Sequence, residues 1–254
     1  MQPPDRPAPT PPSPATERGF FFLETPLNKP AFITFTGIDS ATDFVAARAL
    51  SAAYPIEFAV LFSPERQGEN PRYPAWGSIH KMLDHAGPGS RFAAHLCGGH
   101  SRLLLATAST MLDPMLRDHF IRVQINTAYV GIDPAAIAEW AESIEAQPIL
   151  QCRETFPLHP EVSWLFDASG GRGKLPEAWP AAPRTLSGVG KPPVVGYAGG
   201  LSPNNIAEQL PLIAAAAGDS PYWIDMESGV RDADDRFDLG KCRAVCEAVY
   251  GDLT

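Results

Sequence analysis

Cysteine is scarce in this sequence. Four residues in 254, Cys97, Cys152, Cys242 and Cys246, show no CxxC spacing, which argues against a disulfide framework or a zinc finger. Cys242 and Cys246 stand four apart on an expected helix and read as core. Basic charge is also in short supply. Twenty Lys plus Arg against 29 Asp plus Glu leave a net charge of -9 and no basic stripe to neutralise a nucleic-acid backbone. No apolar run approaches the roughly 18 residues of a membrane helix, and the N-terminus lacks the basic-then-apolar layout of a signal peptide. The reading is a soluble, cytoplasmic protein with neither nucleic acid nor membrane as partner. Nothing in the composition asks for a cofactor.

Proline and glycine are abundant instead, at 27 and 21 residues. Seven of the first fourteen residues are proline, so residues 1–19 lack the apolar side chains needed to offset ordering entropy and are expected to form a disordered tail. Residues 20–254 then form one domain.

Eight short apolar runs punctuate that domain: Phe32 to Phe35, Phe58 to Phe62, Phe92 to Leu96, Ile121 to Ile125, Pro148 to Cys152, Val162 to Phe166, Val194 to Tyr197 and Tyr222 to Met226. Helix start signals and a 3.6-residue apolar period follow most of them. Asp39 is placed to cap Ala41 to Tyr54, Asp133 with Pro134 to start Ala135 to Ile144, Ser202 with Pro203 to start Asn204 to Ala217, and Asp238 to cap a last helix stopped near Tyr250 by Gly251. Strands alternating with helices demand a parallel sheet, and eight units point to a closed (β/α)8 TIM barrel. Only about a dozen residues separate the fifth and sixth runs, and Pro157 and Pro160 interrupt them, so a loop is expected in place of the fifth helix. Leu175 to Pro193, with five prolines, leaves room for a short helix at most.

Ligands of such barrels bind at the loops after the strands, and phosphate groups favour the loops after strands seven and eight. Gly199-Gly200-Leu201-Ser202-Pro203-Asn204-Asn205 follows the seventh run, and Asp225-Met226-Glu227-Ser228-Gly229-Val230 spans the end of the eighth. Glycines that allow close backbone approach, next to a helix N-terminus, can hold an anion without a lysine, or can simply make tight turns. A third cluster, Asp167-Ala168-Ser169-Gly170-Gly171-Arg172-Gly173-Lys174, puts a carboxyl at a strand end. Asp167 there reads as a general acid or as a cap for its own loop.

These residues resemble the phosphoribosylanthranilate isomerase family of tryptophan biosynthesis. The likeness covers Phe32 to Tyr250 in element order and is sharpest over Trp164 to Lys174 and Gly199 to Val230. It implies an Amadori rearrangement of a phosphorylated aminosugar, with Asp167 as catalytic acid. It also implies substrate and phosphate contacts from Gly171, Gly173, Gly199, Gly200, Asp225, Ser228 and Gly229, and a substrate-binding arginine that is either Arg66 or Arg72. The partner is then a small phosphorylated metabolite, with no metal. Two departures stand out. Thr36 precedes Gly37-Ile38 where the family has a cysteine base, and Gln124-Ile125-Asn126 stands where its fourth strand ends in histidine. A thiol ionises near pH 8.5, whereas an alcohol needs a partner to act as a base.

Candidates for a replacement base are His95, Cys97, His100, Cys152 and Asp225. His95, Cys97 and His100 match no strong metal motif and read as packing, and Cys152 beside Arg153 is either an activated thiol or an inert buried one. The leading expectation is an isomerase-like enzyme with an altered base. The alternatives are a non-catalytic phosphometabolite-binding barrel, favoured by Thr36, and a lyase or epimerase on the same scaffold.

Overall fold

The computed structural model describes residues 28–86, 91–127, 131–183 and 194–252. The expected tail, residues 1–19, lies outside them. Eight parallel strands pair in sequence order and close into a barrel: β1 (Phe32–Thr36), β2 (Ile56–Phe62), β3 (Phe92–Leu96), β4 (Arg122–Ile125), β5 (Gln147–Cys152), β6 (Ser163–Phe166), β7 (Val195–Ala198) and β8 (Tyr222–Met226). Around them run α1 (Phe44–Ala53), α2 (Trp76–His85), α3 (Gly99–Thr107), α4 (Asp113–His119), α5 (Pro134–Ser143), α6 (Ile206–Ala217) and α7 (Leu239–Tyr250). No helix occurs between β5 and β6, where the prolines already pointed to a loop. Of Leu175 to Pro193, residues 175–183 hold no helix and the rest lies outside the described residues. Among the described residues no helix is long and apolar enough to cross a membrane.

Both faces of every strand are covered, so the strands read as continuous apolar runs while alternate side chains do different work. In β1, Ile33 and Phe35 join the large core between strands and helices. Phe32 turns inward and packs with Ile149, Leu165, Ala198 and Trp223. Its ring stacks on Trp223 at 5.7 Å. Gly196 makes room for this layer, because a Cβ there would overlap the Trp223 indole. Polar groups share the lower interior: Glu57 accepts from Thr34 Oγ1 at 2.8 Å and pairs with Arg122, whose guanidinium lies 4.0 Å from the Phe32 ring centre.

Two helix starts differ from the sequence reading. Asp43, not Asp39, caps α1 through the amides of Val45 and Ala46. Asp39 is taken instead by Arg231, 192 residues away, at 2.8 Å, and by the Phe237 amide at 2.8 Å. Helix α6 begins at Ile206 behind Asn205, because Asn205 braces the preceding turn: Oδ1 accepts from Ser202 N and Nδ2 donates to Gly200 O. Asp133 and Asp238 cap α5 and α7 as their sequence context suggested.

Candidate functional site

A cavity of about 550 Å³, counting the part open to solvent, occupies the C-terminal mouth of the barrel. It is lined by Thr36, Asp167, Gly171, Gly173, Gly199, Gly200, Asp225, Ser228 and Gly229 from the sequence reading, together with His95, Gln124, Asn126, Gln151 and Glu227. On one side the turns after β7 and β8 meet. Gly199 and Gly200 sit at φ 113° and 69°, where an L side chain is strained, and a Cβ on Gly229 would overlap the Leu201 carbonyl. That wall presents backbone.

The floor is formed by the ends of β1, β3 and β8. Thr36 Oγ1 donates to Asp225, 3.1 and 3.0 Å from its two oxygens, and both residues are buried. Burial pushes the Asp225 carboxyl well above the usual carboxylate range, and the charges of Glu227, Glu57 and Asp167 push in the same direction against the pull of the Thr36 bond. His95 Nε2 lies 3.9 Å from Asp225 Oδ2, beyond a hydrogen bond. Burial holds the imidazole down to about 3, so it is neutral and supplies no positive charge. Asp225 is therefore a buried carboxyl whose hydrogen-bond partner among the described residues is a hydroxyl and not a cation, an arrangement that favours its protonated form.

Asp167, at the end of β6, is engaged by its own loop. Oδ1 accepts from Ser169 N at 3.0 Å and Ser169 Oγ at 2.7 Å, and Oδ2 accepts from Gly171 N at 2.5 Å. Its carboxyl holds the 169–171 turn over the cavity.

The wall opposite the glycine turns carries side-chain amides. Gln124 Nε2 donates to Asn126 Oδ1 at 2.6 Å, and Asn126 Nδ2 to Cys97 Sγ at 3.1 Å. Burial pushes the Cys97 thiol up to about 11 and that of Cys152 up to about 12, so both stay protonated and neither is an activated nucleophile. Cys242 and Cys246 are buried in the outer core. Among the described residues no cluster of three or more His, Cys, Asp or Glu could hold a metal.

Neither candidate arginine lines the cavity. Arg66 lies over the Tyr73 ring and donates to its hydroxyl at 3.4 Å. Arg72 reaches the rim, pairing with Glu227 at 2.6 Å and Asp235 at 2.7 Å and donating to Ser228 Oγ at 3.1 Å. Next to it, buried Arg231 ties Gly37 O and Asp39 together. The loops after β1, β2 and β8 are thus fastened by guanidinium groups. The sequence reading named Gln124 only as a departure from the family and passed over Gln151, and the signal was there: a polar residue inside a short apolar strand run has to face something polar.

No protein-family model matches the chain. Over 92 residues it is 39% identical to N-(5'-phosphoribosyl)anthranilate isomerase of Chlorobium chlorochromatii, a match that takes in 34% of this chain and 39% of that relative. Phosphoribosyl anthranilate isomerase from Thermus thermophilus superposes with a TM-score of 0.55 at 22% identity, covering 85% of this chain and 96% of the other. TrpF from Jonesia denitrificans gives 0.57 at 16% identity, covering 87% and 97%. The chain is similar to phosphoribosylanthranilate isomerases in sequence over those 92 residues and in barrel fold over most of its length.

Proposed function

We propose that this chain is an isomerase-like enzyme that acts on a small phosphorylated sugar or sugar conjugate, with Asp225 in place of the missing thiol base. The observation that carries the reading is the Asp225 carboxyl, buried and bonded to Thr36 Oγ1 on the floor of a cavity whose nearer wall is glycine backbone, with its pKa raised by that burial. The phosphate binds between Gly199-Gly200 and Ser228-Gly229, two backbone turns that line the same side of the cavity. Asp225 gives its proton to the sugar ring oxygen as the bond from that oxygen to C1 breaks and the amine lone pair closes a C=N bond. The carboxylate so formed removes the proton from C2, and the enamine relaxes to the ketone by moving its hydroxyl proton to C1. The carboxyl ends protonated, as it began. Thr36 holds it in place, and Asp167 keeps the 169–171 loop over the substrate.

The test is turnover of N-(5'-phosphoribosyl)anthranilate by the wild type, Asp225→Asn, Asp167→Asn and Thr36→Cys. Asp225→Asn is expected to lose turnover while still binding ribose 5-phosphate. Thr36→Cys, which restores a thiol beside the substrate, is expected to raise turnover. Loss confined to Asp167→Asn would return the acid role to Asp167, and binding without turnover in every variant would favour the non-catalytic barrel.

A further inference from the structure

We propose that the wall opposite the phosphate turns selects a substrate whose remote end carries an uncharged N–H or O–H donor, and that Gln124 reads it through its side-chain carbonyl. The inference rests on the reading that the phosphate sits at the β7 and β8 turns. In a ring of eight strands, β4 lies across from β8. A ligand anchored at Ser228 and Gly229 and long enough to cross the cavity therefore ends at Gln124.

A chain of hydrogen bonds fixes which atom Gln124 offers. The Cys97 thiol, kept protonated by burial, donates to the His95 carbonyl at 3.6 Å. Its sulfur is thus an acceptor for Asn126, and Asn126 Nδ2 takes that place. Asn126 Oδ1 then faces Gln124 and accepts from Nε2. Gln124 Oε1 is left at the end of the chain, buried and without a partner among the described residues, on a side chain that lines the cavity.

A buried carbonyl oxygen without a donor carries a desolvation cost that a ligand N–H or O–H removes. A carboxylate in the same position offers only acceptors and meets the carbonyl dipole negative end first. The wall therefore favours a carboxamide or hydroxyl over a carboxylate on an otherwise identical ligand, by about 10-fold for one hydrogen bond in place of an unpaired group.

Three probes test this by titration: ribose 5-phosphate, N-(5'-phosphoribosyl)anthranilate, and its carboxamide analogue, N-(5'-phosphoribosyl)anthranilamide. The wild type is expected to bind the carboxamide about 10-fold more tightly than the carboxylate. Gln124→Met should erase that difference without changing the affinity for ribose 5-phosphate. Gln124→Glu keeps an acceptor of the same size, and it should retain or enlarge the preference, which carries the test if Gln124→Met fails to fold. Equal binding by the wild type, or a preference for the carboxylate, would overturn the inference while leaving the phosphate site standing. Failure of all three probes would remove the phosphate site and the inference with it.

Discussion

Glu57 and Asp225 are buried carboxyls inside this barrel, one low and one high, and they have been given opposite company. Glu57 meets the guanidinium of Arg122 and the hydroxyl of Thr34. Burial pushes its carboxyl up, and the cation and the hydroxyl pull it back. Asp225 has the hydroxyl of Thr36 and a neutral imidazole, and the nearby charges on Glu227, Glu57 and Asp167 are all of its own sign. The lower carboxyl is a strut; the upper one is the proton carrier of the proposed reaction. A cation within reach separates the two roles, since a buried ion pair fixes its carboxylate while a buried lone acid stays neutral and exchangeable.

The comparison breaks most severely if the strut loses its cation. Arg122→Met leaves Glu57 buried and unpaired and should cost about 3–5 kcal/mol, read from denaturant unfolding. Adding Glu57→Met should recover most of that loss; a single variant as stable as the wild type would mean that Glu57 is neutral and the strut imaginary. At the upper site the loss should fall on chemistry. Asp225→Asn removes proton transfer and should lower turnover by roughly 100 to 10,000-fold, with a stability change inside about 1 kcal/mol at pH below about 4, where the carboxyl is protonated folded and unfolded and the amide oxygen still accepts from Thr36.

Filling the apolar layer between the two sites should cost less than breaking the strut. Gly196→Ala pushes a methyl into the Trp223 indole and should destabilise by about 1–3 kcal/mol, measured as a lowered midpoint of unfolding. A gentler effect lies in pH. The folded Asp225 carboxyl titrates above its unfolded value, so the stability it contributes is fully present at pH below about 4 and is lost as pH rises through the raised folded value. Asp225→Asn should therefore gain on the wild type as pH increases, and parallel pH profiles would remove the elevated carboxyl from the account. The smallest effect belongs to a pair with no burial at stake. Arg102 and Glu65 pair at 2.7 Å with 71% and 49% of their side chains exposed, and Arg102→Ala should leave the unfolding midpoint where it is.

What the sequence made legible follows from which forces are local. All eight strands were visible because each is an apolar run closed by turn chemistry, and the missing fifth helix was visible because proline forbids it locally. The caps at Asp133 and Asp238 were equally near their helices. Asp39 looked like a cap by the same rule, and its partner Arg231 lies at the other end of the chain, where no local pattern can reach. The glycine turns suggested an anion cradle from local pattern alone, whereas the state of Asp225 depends on a hydroxyl from β1, on the like charges of Glu227, Glu57 and Asp167 and on the exclusion of water by closure. Asp167 shows the reverse case, a strand-end carboxyl suited on paper to acid chemistry whose own loop already occupies both oxygens.

The bond between Thr36 and Asp225 spans 189 residues, and it sits on the seam where the first strand meets the last. Its formation requires every intervening strand to be in place, so the order of events in refolding is constrained. Contacts so distant in sequence form slowly, because the entropy of closing the loop comes before their reward. An intermediate with seven strands zipped and the seam open would leave Asp225 solvated, without the burial that raises its pKa. Any proton-transfer activity dependent on that carboxyl should therefore return with the slowest folding phase, in step with burial of Trp223 on the same strand, and none of it in an earlier one.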